Sequence, residues 1–335
     1  MNAHSFFMNS QHDMNFSIKS RFGNADSSPP FLTPLKDGEN NMQKDVAVII
    51  DSGCAPTPEM IKRDDLEFIG IRINLDDQQY EDGVNLKKND FYDRISKTRN
   101  FSTSPPSPKE ILDKYRSIKD KGYKQIIDIH FSSRMTELVK NSEIAKGFIT
   151  GLDVHIIDTE SVSAGAYFTA AKVIELLHRG LVIDEIKPLL PAIIRSSLML
   201  ISASTLKYFV RNGRIGKAQG LVGDLLRVKP ILTIEEGVVA PFAKERGIEG
   251  AARTMADTAF KFLVDRRHNV KIFTDYGSEK NRKYMQIAYE SFMEKFRSLN
   301  IKNYEIINGR GWPTVTCHSG PEVFALSVYG EVTPI

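Results

Sequence analysis

The sequence predicts an α/β protein, an N-terminal doubly wound, mostly parallel sheet domain followed by a C-terminal mixed α+β domain. Three observations carry that expectation. Apolar, β-branched runs recur in the first half and each stops at an acid or a hydroxyl: Val46–Ile50 at Asp51-Ser52, Gln125–Phe131 at Ser132-Ser133, and Val154–Ile157 at Asp158-Thr159. Segments of helical period separate these runs, which is the alternation of a parallel sheet. Past Arg195 the pattern changes to hairpin-like strands interspersed with longer helices. The expected divisions are a disordered tail over 1–44, a first domain over 45–195 and a second over 196–335.

Residues 1–44 are rich in Asn, Ser, Met and Pro, with Phe6, Phe7 and Phe16 scattered among them and no sustained period. Val46–Ile50 then reads as a buried strand closed by the polar turn Asp51–Cys54. Leu66–Leu75 reads as a second strand, Asp82-Gly83 as a turn and Asp90–Thr98 as a short helix. Prolines forbid helix in Phe101–Pro108, so a rigid loop lined by Ser102, Thr103 and Ser104 is expected there. Ser107 and Pro108 fit the cap and first position of a helix over Lys109–Lys119.

A strand at Gln125–Phe131, the loop Ser132-Ser133 and a helix from Met135 to Phe148 follow. In an open α/β sheet this junction lies at the carboxyl edge where ligands bind, and the first helical turn offers free N–H groups. Serine caps a helix there more often than it meets a ligand. Val154–Ile157 is the next strand, Ala166–His178 a long helix closed by Gly180, and Ile183–Ile194 a further helix despite Pro188 and Pro191.

In the second half, Leu198–Ile201 reads as a strand and Thr205–Val210 as a helix. A tight turn at Asn212-Gly213 follows, flanked by Arg211 and Arg214. Leu221–Leu226 is expected to be helical, and Lys229–Ile234 with Val238–Ala240 to form a hairpin. Helix Ile248–Leu263, strand Val270–Thr274, helix Glu279–Phe296 and strand Tyr304–Ile307 complete the set. The last strands are expected to surround an extended segment, Cys317-His318-Ser319-Gly320-Pro321.

Composition narrows the function. Across 335 residues the 45 Lys and Arg nearly balance the 42 Asp and Glu, leaving a net charge of +3. That gives no electrostatic case for nucleic acid or a membrane surface. No apolar run approaches the length of a membrane span, and no secretory layout opens the chain, so a cytoplasmic location is expected. Cys54 and Cys317 are far apart and suggest neither disulfide nor zinc, and no metal or cofactor is implied. GxSxG, HExxH, GxGxxG and P-loop signatures are absent. Cys317 beside His318 does not make a dyad on an extended segment, where neighbours face opposite ways. Asp51 and Asp158 read better as loop caps than as an acid–base pair.

Read together, these motifs resemble the DegV family of bacterial fatty-acid-binding proteins, which present a fatty acid to a fatty acid kinase. The resemblance runs from about Asp45 to the C-terminus. It rests on Asp51-Ser52, Thr103-Ser104-Pro105-Pro106-Ser107, Ile129–Ser133, Ile157-Asp158-Thr159 with Ser161, Ser163 and Gly165, Gly213-Arg214-Ile215 with Lys217, Lys229-Pro230-Ile231, and His318–Pro321.

It implies a non-catalytic carrier whose ligand carboxylate is held by Thr103 with Ser104, Thr136 and His318. Arg214 would stand beside it, and Asp51, Ser52, Ser132, Ser133, Ser161 and Gly213 would shape the supporting loops. Arg246 would face the kinase. The chain departs from the family at Met135-Thr136-Glu137-Leu138, where leucine-serine-glycine-threonine is usual, and at Asn212 and Glu322, where glycine is usual. An acid near the head group would repel a carboxylate unless His318 is protonated or Arg214 compensates. The alternatives are a hydrolase or phosphotransferase using the same cleft through Asp51, Asp158 or Cys317, or a binding module for another lipid-like metabolite.

Overall fold

The computed structural model describes residues 45–224 and 228–335. The tail expected over 1–44 lies outside them, as do Leu225 and Leu226 of the helix expected at Leu221–Leu226. Leu221 itself belongs to 3-10 turns spanning Gly216–Asp224.

In chain order the first part comprises β1 (Val46–Asp51), α1 (Pro58–Ile61), β2 (Leu66–Ile69), β3 (Arg72–Leu75), β4 (Gln78–Glu81), α2 (Lys88–Ile95), β5 (Phe101–Ser104), α3 (Pro108–Asp120), β6 (Gln125–His130), α4 (Leu138–Lys146), β7 (Asp153–Asp158), α5 (Ala164–His178), α6 (Ile183–Ile186) and α7 (Leu190–Arg195). There follow β8 (Ser197–Ala203), α8 (Lys207–Arg211), β9 (Lys229–Glu235), β10 (Val238–Glu245), α9 (Ile248–Leu263), β11 (His268–Tyr276), α10 (Glu279–Phe296), β12 (Tyr304–Arg310), α11 (Pro313–Ser319) and β13 (Val323–Glu331).

β2, β1, β6 and β7 form a parallel sheet in that order, and β1 is buried along its whole length. Burial on both faces is why its sequence reads as one apolar run rather than an alternation. A mixed sheet, β10-β9-β8-β13-β11-β12, carries the second half, with β11 and β12 parallel and the other pairs antiparallel. β13 is also wholly buried, and its side chains divide by the period of two. Phe324, Leu326 and Val328 enter the core under α9 and α10, whereas Val323, Ala325 and Tyr329 join the core of the first half.

Three expectations change. Leu66–Leu75 is two strands, because the chain breaks at Gly70, where a Cβ would lie 2.5 Å from the Asp82 carbonyl. β3 leaves the parallel sheet and joins β4 and β5 in a small antiparallel one. Phe101–Ser104, expected as loop, is therefore strand, with Thr103 paired to Ile73. Ile183–Ile194 is two short helices joined by a 3-10 turn at Pro188, since proline cannot donate to the ladder. The Ser107 cap is as expected, with Glu110 closing a capping box over Pro108.

Among the buried links that stitch the halves are two polar ones that anchor α11 and β13. Ser52 Oγ donates to Thr314 Oγ1 at 2.8 Å, and Thr314 donates both its hydroxyl (2.7 Å) and its backbone N–H (2.8 Å) to Asp82 Oδ2. Lys172 of α5 lies 3.1 Å from Glu331 of β13, and neither side chain is exposed.

Candidate functional site

Along the parallel sheet the chain runs outward in both directions from between β1 and β6, and in open α/β sheets ligands bind at the carboxyl ends of such strands. Asp51 ends β1 there and is fully buried. Its Oδ1 accepts from the backbone N–H groups of Gly53 (2.7 Å) and Cys54 (3.2 Å), and its Oδ2 from Phe131 N (3.1 Å) and His130 Nδ1 (3.0 Å). Capping is therefore its role, with an imidazole as an unforeseen partner. His130 Nε2 lies 2.9 Å from Ser142 Oγ and 3.0 Å from Asp128 Oδ1, and Tyr115 donates to Asp128 Oδ2 at 2.5 Å. Burial alone would depress the imidazole, but Asp128 and Asp51 raise it to about 10. It is a buried cation beneath the strand ends. His130 falls within the Ile129–Ser133 motif, yet nothing local marks it as charged, since it stands between Ile129 and Phe131 like any core residue.

The supporting loops are fixed by backbone contacts. Ser132 Oγ donates to the Gly237 carbonyl (2.8 Å) at the β9–β10 turn, and Ser132 N donates to the Ser161 carbonyl (2.7 Å). Asp158 accepts from Ser133 N and Glu160 N, so it too is a cap. Ser52 is spent on Thr314 and on Ile71 N (3.0 Å). Ser161 packs its hydroxyl against Gly165, where a Cβ would come within 2.0 Å.

The polar site lies where β5, the turn before α4, the turn after α8 and the end of α11 meet. Thr103 Oγ1 is 2.7 Å from His318 Nε2 across 215 positions of chain. His318 lies in the last turn of α11, a helix where an extended segment was expected, and it follows the wholly buried Cys317. Burial first, and the neighbouring Arg214 second, push the imidazole down to about 4, so it is neutral at pH 7. Its Nδ1 is buried with no hydrogen-bond partner among the described residues.

Arg214 donates from Nε to the Met135 carbonyl (3.0 Å) and from Nη1 to the Asn212 carbonyl (3.0 Å). Thr136, next to Met135, accepts from Leu138 N (3.2 Å) and so keeps its hydroxyl proton to give. α4 starts at Leu138 rather than Met135, which leaves Thr136 in the turn. Asn141 Nδ2 ties this helix to the Pro106 carbonyl of the Thr103 loop (2.8 Å).

Thr103, His318 and Arg214 are thus brought together, with Thr136 beside them through Met135. Ser104 lies next in β5, half-buried, and Gly213 takes a left-handed φ of 64° at the turn before Arg214. Glu137 and Glu322 are both exposed. Arg246 is exposed as well, beyond the end of β10 opposite the Gly237 turn, about 25 Å away at strand spacing. Burial pushes the Cys317 thiol up to about 12 and holds the Cys54 thiol well above its ordinary value, so neither is a thiolate at neutral pH. A cavity of about 140 Å³ lies between β2, β3 and α3, lined by Phe68, Ile69, Arg72, Pro106, Glu110 and Lys114 among others. Its charged rim distinguishes it from an aliphatic slot.

Fold and site together define the class: an α/β protein with a parallel sheet, a larger mixed sheet and a small antiparallel one, and a polar site where its halves join, built from a hydroxyl, a neutral imidazole and a guanidinium. The chain belongs to the DegV family, whose profile, described as that of an uncharacterised protein family, matches residues 45–331. A DegV domain-containing protein of Clostridium acetobutylicum is 26% identical over 293 residues, covering 85% of this chain and 99% of the relative. One from Listeria monocytogenes is 28% identical over 239 residues, 71% of this chain and 84% of that one. Among solved structures, a DegV family protein of Thermus thermophilus described for its fatty acid binding superposes with a TM-score of 0.76 at 22% identity, over 85% of this chain and 99% of that one. A stearic acid-binding protein of Eubacterium ventriosum gives 0.74 at 20% identity, over 86% and 99%. Among the described residues no helix is long and apolar enough to cross a membrane.

Proposed function

We propose that this protein is a non-catalytic carrier that binds a long-chain fatty acid and presents its carboxylate to a kinase partner for acyl-phosphate formation. The observation that carries the reading is the 2.7 Å contact between Thr103 and His318, with the second imidazole nitrogen buried beside Arg214 and unpartnered among the described residues. If Thr103 donates to Nε2, the proton of the neutral imidazole resides on Nδ1 and is available to a ligand oxygen. In the other tautomer Nε2–H donates to Thr103, and the hydroxyl proton is available instead. Either arrangement offers one neutral donor next to a guanidinium, which suits a carboxylate. Thr136 supplies a further hydroxyl, and Ser104 lies within the same strand end.

The acyl tail supplies the affinity. Burial contributes about 0.8 kcal/mol per methylene, so a long chain contributes roughly 10 kcal/mol gross, against about 1 kcal/mol net for a neutral hydrogen bond to the head group. The polar residues fix orientation. In this reading the chain divides near Arg195, the protein works in the cytoplasm, and Arg246 contacts the kinase well away from the head group. DegV relatives described as fatty-acid-binding support the ligand class.

Native mass spectrometry of the protein purified gently from bacteria tests this directly. A mass increment matching a fatty acid, identified after extraction, is expected. Purely apo protein, or an extracted lipid without a carboxyl group, overturns the reading.

A further inference from the structure

The two groups best placed to meet a ligand oxygen, His318 and Arg214, come from segments about a hundred positions apart, and one side chain joins those segments. Asn212 closes α8, and its Nδ2 donates to the carbonyls of Tyr208 (3.2 Å) and Cys317 (3.1 Å). The Cys317 carbonyl is one of the last four of α11, which have no acceptor role left inside the helix. The backbone carbonyl of the same asparagine accepts Arg214 Nη1 at 3.0 Å. Asn212 therefore holds the residue before the histidine with its side chain and the arginine with its main chain. The end of α11 is tightly set against α8 on this side, since a Cβ on Gly320 would fall 2.3 Å from the Tyr208 ring.

We propose that Asn212 is a positioning residue that sets the spacing of His318 and Arg214, and so makes the site prefer an ionised carboxylate to a neutral acyl head group. The proposal rests on the fatty-acid reading for its ligand class, while the clamp itself is defined by the three hydrogen bonds. Without the amide the Cys317 carbonyl loses its donor, the end of α11 is free to shift, and the guanidinium and imidazole are no longer held in fixed register with each other. A charge-assisted contact is then weakened while burial of the tail is unaffected.

The test uses the full, delipidated chain with palmitate and hexadecanol as probes, and follows the His318 imidazole by NMR titration. Asn212→Gly is expected to lower palmitate affinity about tenfold, to change hexadecanol affinity less than about twofold, and to move the His318 pKa up toward the ordinary imidazole value. Asn212→Asp, which keeps the size but removes both donors, should act in the same direction and serves if the glycine variant does not fold. An unchanged palmitate-to-hexadecanol ratio, or equal losses for both probes, overturns the proposal. If the wild type binds neither probe, the fatty-acid reading fails, and the titration alone decides the clamp: a shifted His318 supports it and an unshifted one removes it.

Discussion

Lys172 Nζ sits 3.1 Å from Glu331 Oε1 with both side chains fully buried, joining α5 of the first half to β13, a central strand of the second half's sheet. Glu331 also accepts from Tyr329 Oη (2.7 Å), Asn269 Nδ2 (2.6 Å) and Ile335 N (2.9 Å), so its charge is surrounded by donors. Lys172 reaches Glu175 as well, at 3.0 Å.

Removing one member of such a pair leaves the other charged in the interior. Lys172→Met should cost about 3–5 kcal/mol in urea unfolding, and Lys172→Met with Glu331→Gln should recover part of that loss. A double variant no more stable than the single one would show that the pair is not coupled.

Asp82 gives a pH dependence with an unusual sign. Burial raises its carboxyl from the ordinary 3.8 to about 7, against the opposing donors of Thr314. Between those values the folded state holds a proton that the unfolded chain has lost. Its contribution to stability is thus fully present below about pH 4 and is lost as the pH rises through 7. Asp275, raised to about 6 mainly by burial, acts in the same direction. Asp82→Asn retains an acceptor for Thr314 and should remove a slope of up to about 1.4 kcal/mol per pH unit across that interval. Stability curves of wild type and variant that run parallel from pH 4 to 7 would refute the assignment.

His318 titrates the other way. Its folded pKa, near 4, lies below the ordinary 6.5, so the stability it contributes is present above 6.5 and falls as the pH drops toward 4. Because Arg214 is the second cause of the shift, Arg214→Ala should raise the His318 pKa measured by NMR. A value unmoved by that change would leave burial as the whole cause.

In the proposed carrier the roles of tail and head group are separable. Thr103→Ala combined with His318→Ala should reduce acyl-phosphate formation with the kinase by at least about tenfold, and lipid binding by much less, since two polar contacts are set against many methylenes. Equal losses in both assays would contradict it.

Gly237 takes a φ of 75°, and a Cβ there would meet Ser132 Oγ at 2.4 Å. Gly237→Ala should destabilise the protein by about 1–3 kcal/mol, read as a lowered unfolding midpoint. An unchanged midpoint would mean that the hairpin tip and the Ser132 loop separate freely.

Much of this was legible in the sequence where one period sufficed. β1, β6 and β7 announce themselves as apolar runs, and Ser107-Pro108 with Glu110 writes out a helix start. Thr103, His318 and Arg214 are singled out by the resemblance to the DegV family, and the first two do meet. What stayed hidden depends on partners remote in the chain. Phe101–Ser104 is too short and polar to read as strand until β3 lies beside it. Gly70 is an unremarkable glycine until Asp82 folds against it. His130 and Lys172 sit in apolar surroundings, and only the carboxylates that the fold brings to them explain their presence. Asn212 reads as half of a turn dipeptide, and nothing local marks the carbonyl 105 positions away that its amide reaches.

In the proposed carrier, the hydroxyl stitch from Ser52 through Thr314 to Asp82 bears on how a ligand gets in. α11 connects two strands of the six-stranded sheet, yet its first turn is fastened to a strand end of the parallel sheet and to Asp82 beyond β4. A clamshell swing of one half away from the other would tear the base of the helix that bears the histidine. Entry that spares the site must therefore come by local displacement of surface segments, with the two sheets staying shut on each other throughout.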